Sequence, residues 1–159
     1  MTNNKPALTK EMVLNYLGTQ KLMTVATNGE FPWIASVYYT FDRNLNIYFL
    51  SSPTTLHVQQ ILQNPKVAVS IADSHQDIAK PKRGMQMSGV ATQISGVNKI
   101  RHALLMWKSN LGVVDPSLTH KVVIGSMFMV TPNRIKLFDQ ELFDVGDGQE
   151  PVLDLKTGT

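Results

Sequence analysis

No cysteine occurs among the 159 residues, which excludes disulfides, thiolate catalysis and zinc–thiolate sites. Long hydrophobic runs are missing too. The strongest apolar stretch, Val122 to Val130, is interrupted by Gly125 and Ser126 and is far too short to cross a bilayer. Met1 to Lys10 is polar and lacks the apolar segment of a secretory signal. The expectation is a soluble cytoplasmic protein with no membrane partner. Charged residues are 17% and apolar residues 43%, too apolar for intrinsic disorder and enough to fill the core of one domain. Metal-binding patterns are equally scarce. His57, His75, His102 and His120 are widely spaced and none pairs at a helical ligand interval, so no metal site is expected. There is no nucleophile elbow, and Gly146-Asp147-Gly148 lies outside any strand–turn–helix context that would make it a phosphate loop.

The net charge of +3 is unevenly spread. Residues 1–138 carry fourteen Lys and Arg against six Asp and Glu, whereas residues 139–159 carry one Lys against six acids. The natural division is therefore one domain over 1–138 and an acidic C-terminal tail over 139–159. A basic body suits an anionic ligand. It does not suit nucleic acid here, because the cations are scattered, only Lys80, Lys82 and Arg83 lie close together, and no helix carries a basic stripe.

The order of elements follows from local signals. Thr9 is an N-cap, Glu11 falls in the first turn and Gly18 stops a helix over Lys10 to Leu17. Lys21 to Thr27 leads through Asn28-Gly29, a strong hairpin signal, into Pro32 to Phe41, and a turn at Asp42-Arg43-Asn44 opens a third strand to Leu50. Leu56 to Gln63 is a short helix ended by Asn64-Pro65. Lys66 to Ala72 alternates as a buried strand, and Gly84 to Ile94 is a longer one with a bend or bulge at Gly89. Asn98 to Ser109 is an amphipathic helix presenting Ile100, Ala103, Leu104 and Trp107. Lys121 to Val130 and Arg134 to Phe138 read as a last hairpin across Pro132-Asn133. Seven strands without regular β-α alternation exclude a doubly wound parallel sheet. The fold class is mainly β, or α+β: a small antiparallel barrel, closed or partly open, with a few short peripheral helices.

Two segments could carry chemistry. Ser51-Ser52-Pro53-Thr54-Thr55-Leu56-His57 gathers four hydroxyls and an imidazole at a helix start, where free amides attract phosphate; a plain helix cap accounts for it equally well. Lys80, Lys82 and Arg83 lead into Gly84-Met85-Gln86-Met87-Ser88, in which Gln86 and Ser88 share a face. That face could line a pocket or meet water, and by itself the basic trio reads as a solvated loop.

The run Pro32-Trp33-Ile34-Ala35-Ser36-Val37-Tyr38-Tyr39, then Ile47-Tyr48-Phe49-Leu50-Ser51-Ser52, then Thr55-Leu56-His57, Leu62, Asn64-Pro65 and Val67-Ala68-Val69 resembles the pyridoxamine 5′-phosphate oxidase-like family of FMN-binding split barrels. The resemblance covers about Lys10 to Phe138. It implies a flavin along Ile34, Ala35, Ser36, Val37, Tyr38 and Tyr39, a phosphate held by Leu50, Ser51, Thr55, Leu56 and His57, and a further contact near Arg83, Gly84 and Gln86. It also implies a homodimer with flavin at the subunit interface, for which Trp33, Tyr38, Met127, Phe128 and Met129 are candidate shared-face residues. The chain departs from the family pattern in having Thr55-Leu56-His57 where Ser-Arg-Lys is common, which leaves one titratable group in place of two cations and implies a more weakly held phosphate, for which Arg83 or Lys82 could compensate. It also has Gly84 where glutamine is frequent, and it lacks the C-terminal Arg-x-His of the true oxidases. The implied function is an FMN-dependent oxidoreductase with a small-molecule electron donor or acceptor, catalytic residues unassigned. The alternatives are a non-catalytic split-barrel module that holds flavin or haem, and an interaction protein with an empty pocket.

Overall fold

A computed structural model describes residues 7–156; the first six residues of the polar N-terminus and the last three of the acidic tail lie outside the described residues. Helix α1 spans Lys10–Leu17, with the Thr9 hydroxyl accepting from the Met12 amide at 3.2 Å, as a capping threonine should. Strands β1 (Leu22–Thr27), β2 (Trp33–Phe41) and β3 (Ile47–Leu50) form the expected meander. Helix α2 (Leu56–Gln63), strands β4 (Lys66–Ala72) and β5 (Arg83–Gln93), helix α3 (Val97–Leu111), strand β6 (Met127–Asp139) and short strand β7 (Val152–Asp154) complete the chain.

The strands are hydrogen-bonded in the order β3-β2-β1-β4-β5-β6, and β6 pairs back onto β3, so six antiparallel strands close a barrel. Closure removes the exposed edges that a sheet of short strands would present. One edge of β6 is shared: Met127 to Val130 pair with β3, while Arg134 to Lys136 pair with β7. Strand alternation drives the packing. Val67, Val69 and Ile71 of β4 point inward, as do Met85 and Met87 of β5, and Phe49 stacks on Phe128 at 5.4 Å. Val58 and Ile61 of α2 enter this core, and Tyr39 donates its buried hydroxyl to the Leu17 carbonyl at 2.8 Å. Burial raises the Tyr39 phenol well above its ordinary range, so it stays protonated. Helix α3 lies outside the barrel on a second, smaller core of Ile100, Ala103, Leu104 and Trp107 with Val123 and Met127.

Three local readings change. Asn28-Gly29 does not form a two-residue hairpin turn: pairing runs only from Thr27 opposite Trp33, leaving a five-residue connection. Its Phe31 carbonyl accepts from the Gln60 amide of α2, so a tertiary contact sets the loop rather than local turn chemistry. Pro132-Asn133 is not a turn either. β6 runs straight through it, and the register shifts so that Gly89 faces Pro132 while Ser88 faces Arg134. Asn133 is the extra residue of a bulge, tolerated because proline needs no ladder partner there. A Cβ on Gly89 would sit 2.5 Å from the Thr131 carbonyl oxygen, so only glycine allows this close approach. Finally, residues 139–156 pack on the barrel. Phe143 is buried in the core, β7 extends the sheet, and Arg134 and Lys136 pair with Asp154 and Glu150. A boundary after Phe138 would cut β6 one residue before its end.

Candidate functional site

β3 pairs with β2 only across Tyr39 to Phe41. Beyond that point β3 ends at Leu50 and the chain turns away, so the stretch of β2 from Trp33 to Tyr38 is paired on its β1 side alone. Tyr39 donates its amide to the Lys21 carbonyl, toward β1. Backbone groups in an antiparallel strand alternate sides, so those of Ile34, Ser36 and Tyr38 face the open edge. The Tyr38 carbonyl accordingly accepts from the Trp107 indole at 3.4 Å. A split in the barrel wall therefore exposes backbone donors and acceptors beside the end of β3.

The segment leaving β3 forms the other side of this split. Ser51 is held by its amide on the Ser126 carbonyl at 2.8 Å. The Thr55 hydroxyl donates back to the Ser52 carbonyl at 2.7 Å and does not cap α2. The first-turn amides of α2 are thus left without a side-chain acceptor, whereas α1 has one in Thr9. His57 is only 8% exposed. Its Nε2 lies 2.6 Å from the Ser51 hydroxyl and 3.4 Å from that of Thr55. Burial holds the imidazole pKa below its ordinary value, favouring the neutral ring. Hydroxyls, an imidazole and free helix amides together form a cradle of the kind that receives a phosphate monoester.

The predicted residues separate into three places. Ser51, Thr55, Leu56 and His57 form or border the cradle, with Leu50 at the last position of β3. Ile34, Ser36 and Tyr38 point outward, with Ile34 66% and Tyr38 59% exposed, while Val37 and Tyr39 are buried and Ala35 packs against the core. Those three inward residues could meet a ligand through the main chain only. Gln86 shares the outer face with Ile34, across a shallow hollow of 360 Å³ floored by small side chains such as Ala26 and Ala68. The third place is remote. Arg83 begins β5, and β5 ends at Gln93, whose amide donates to Gly125 beside Pro53. Ten strand residues separate Arg83 from the cradle end, roughly 30 Å. Within one chain, Arg83 and Lys82 are not brought to the cradle. Arg83 instead bonds buried Asp139 at 3.1 Å and lies over the Tyr16 ring, and the Lys82 amide donates to Gln140.

Of the shared-face candidates, Met127 and Phe128 are fully buried within this chain and Met129 is half-buried, whereas Trp33 and Tyr38 are exposed. The sequence reading missed Trp107 as a partner of β2; its place on the buried stripe of α3 was visible, but not which strand it would meet. It also missed Gln60, which is buried and joins Thr27 to Phe31. Its only sequence signal is its helical spacing from His57. Where the family often carries glutamine, Gly84 lies under the Phe138 ring, whose Cζ would be 2.0 Å from an added Cβ. Phe138 fills that place.

No protein-family model matches the chain. It is 32% identical over 87 residues to the curated UPF0306 protein of Yersinia pestis bv. Antiqua (strain Angola), a match covering 54% of this chain and 58% of that protein. The chain thus spans little more than half the length of the curated relatives it matches. Among solved structures it is similar to a candidate pyridoxamine 5′-phosphate oxidase from Listeria innocua, with TM-score 0.63, 15% identity, and 80% and 96% of the two chains covered. A FAD-binding protein from Mesorhizobium loti superposes with TM-score 0.63 and 15% identity over 80% and 90% of the chains. A haem-binding protein from Mycobacterium smegmatis gives TM-score 0.68 and 16% identity over 92% and 58%. The chain has the split-barrel fold of the pyridoxamine 5′-phosphate oxidase-like proteins. Among the described residues no helix is long and apolar enough to cross a membrane.

Proposed function

We propose that the chain binds FMN and acts in the cytoplasm as a flavin-dependent oxidoreductase on a small molecule. The observation that carries this reading is the uncapped start of α2, with Ser51, Thr55 and His57, beside the open edge of β2. The phosphate belongs at the cradle. The ring system belongs along β2, oriented by main-chain groups of Ile34, Ser36 and Tyr38 and by the exposed Ile34 side chain. Gln86 lies on the same outer face. FMN supplies hydride or single-electron transfer when bound; the chain's residues fix its position and exclude water. Exposed Trp33, Ile34 and Tyr38 leave an apolar surface suited to a second copy, and a homodimer is part of this proposal.

Haem fits the cradle less well. The buried histidine already has its Nε2 against the Ser51 hydroxyl, and His75, His102 and His120 stand apart from it, the first and second exposed.

His57 meets a doubly charged phosphate best as the imidazolium, so binding draws a proton onto a ring that is neutral in the free protein. A charge-assisted hydrogen bond of about 1.5–3 kcal/mol corresponds to a roughly ten- to hundred-fold change in dissociation constant. His57→Ala should weaken FMN binding by that factor and leave riboflavin, which has no phosphate, almost unaffected. FMN affinity should also fall as pH rises and the bound ring loses its proton. Fluorescence titration of both flavins with both proteins measures this. Equal losses for FMN and riboflavin would show that His57 only supports the fold.

A further inference from the structure

A second cavity lies between the first half of α3 and the outer face of β3, β5 and β6, reaching the cradle end of the barrel only at Gln93. It measures 390 Å³, inside the range of about 300–1,000 Å³ usual for small-molecule sites. Its floor is apolar, made by the Met129 thioether, Ala103, Ile94 and the ring of Tyr48. The phenol of Tyr48 is committed: it donates to Asp42 at 2.9 Å, and burial together with that bond pushes its pKa up to about 12. Tyr48 therefore offers the cavity a flat ring face and no spare proton.

The rim is of the opposite character. Lys99 and His102 both line it, three residues apart on one helical face. Neither has an acidic partner among the described residues. Asp42, which accepts the Tyr48 hydroxyl, also accepts from the amides of Asn44 and Asn46 and from the Asn46 side chain. Thr92 and Ser95 add hydroxyls to the mouth. A lysine without an acidic partner and an imidazole over an apolar floor select a ligand with a flat apolar body and one negative end.

The geometry points to a second ligand site, distinct from the flavin cradle, that binds a small amphipathic monocarboxylate: its apolar body on Tyr48 and Met129, its carboxylate on Lys99 and His102. The lysine contributes charge. The imidazole contributes an N–H donor in either protonation state. Arginine is absent from the lining, so the recognition is by point charge and not by a bidentate fork.

Benzoate is the probe and benzamide its uncharged counterpart. In ¹⁵N-resolved titrations of the full chain, benzoate should move the amide signals of Ser95, Lys99 and Ala103 saturably. Benzamide should bind about five-fold more weakly or worse, and Lys99→Ala, at an exposed helix position, should weaken benzoate about three- to ten-fold. Thr92→Trp, at an exposed strand position, should close the mouth and abolish the shifts without disturbing the core. Saturating FMN should leave the benzoate shifts in place, which keeps this test separate from the flavin reading. Shifts scattered over the surface, benzamide equal to benzoate, Lys99→Ala without effect, or displacement by FMN would each overturn the proposal.

Discussion

Arg83→Ala distinguishes a residue that holds the barrel from one that holds a ligand. The Asp139 carboxylate is 3% exposed and accepts three hydrogen bonds: from the Arg83 Nε at 3.1 Å and from the Glu141 and Leu142 amides at 3.0 and 3.1 Å. Stripping the partner from a fully buried ion pair costs about 3–5 kcal/mol. Here the cost is smaller, because the arginine side chain is 43% exposed and water can enter the vacated space. The two amides also remain. One charged hydrogen bond lost, with a weak cation–π contact to Tyr16, comes to roughly 2 kcal/mol. In a domain of this length that lowers Tm by about 4–8 °C. Urea and thermal unfolding at pH 7 read the loss directly. Arg83→Lys should recover about half of it, since the charge returns without the guanidinium geometry. FMN affinity, measured well below Tm, should stay within about two-fold of wild type. A stability change under about 0.5 kcal/mol would refute the structural assignment. A selective loss of FMN binding with stability intact would place Arg83 at the ligand.

Other consequences follow from the same geometry. His57 has a folded-state pKa below the ordinary 6.5, so the unfolded chain binds more protons in the window beneath 6.5. Stability from this group is present above that value and lost as pH falls below it, with a slope of at most about 1.4 kcal/mol per pH unit; His57→Gln should flatten the slope in acid-side urea titrations. Gly84→Ala should cost about 1–3 kcal/mol by pushing the Phe138 ring aside, and far less in a Phe138→Ala background, a coupling that a double-mutant cycle measures. Gly89→Ala meets backbone atoms of Thr131 and Pro132, which cannot swing away, so its cost should exceed that of Gly84→Ala and persist in the Phe138→Ala background.

Much of this architecture is legible wherever the signal is local. Thr9 with the Lys10–Leu17 helix, the Asn64-Pro65 stop, the alternation of Val67, Val69 and Ile71, and the stripe of Ile100, Ala103, Leu104 and Trp107 all stand where their chemistry puts them. What escapes is set by distant partners. Pro132-Asn133 has turn chemistry, yet Gly89, more than forty residues earlier, turns it into a bulge. The acidic tail is set off by its charge alone, yet Phe143 finds the core and Leu153 packs against it. Arg83 reads as a loop cation beside Lys80 and Lys82, while its partner Asp139 lies 56 residues away. The cradle segment Ser51–His57 is legible by composition. The open edge of β2 beside it is not, because it depends on where β3 stops pairing.

FMN uptake by the purified wild-type chain is the most direct measure of the central claim, followed by quenching of flavin fluorescence and by the visible absorption band. The account predicts saturable binding of one FMN per chain with a dissociation constant near or below about 10 µM, and weaker binding of riboflavin. No uptake at about 100 µM FMN, or equal affinity for riboflavin and FMN, would contradict it.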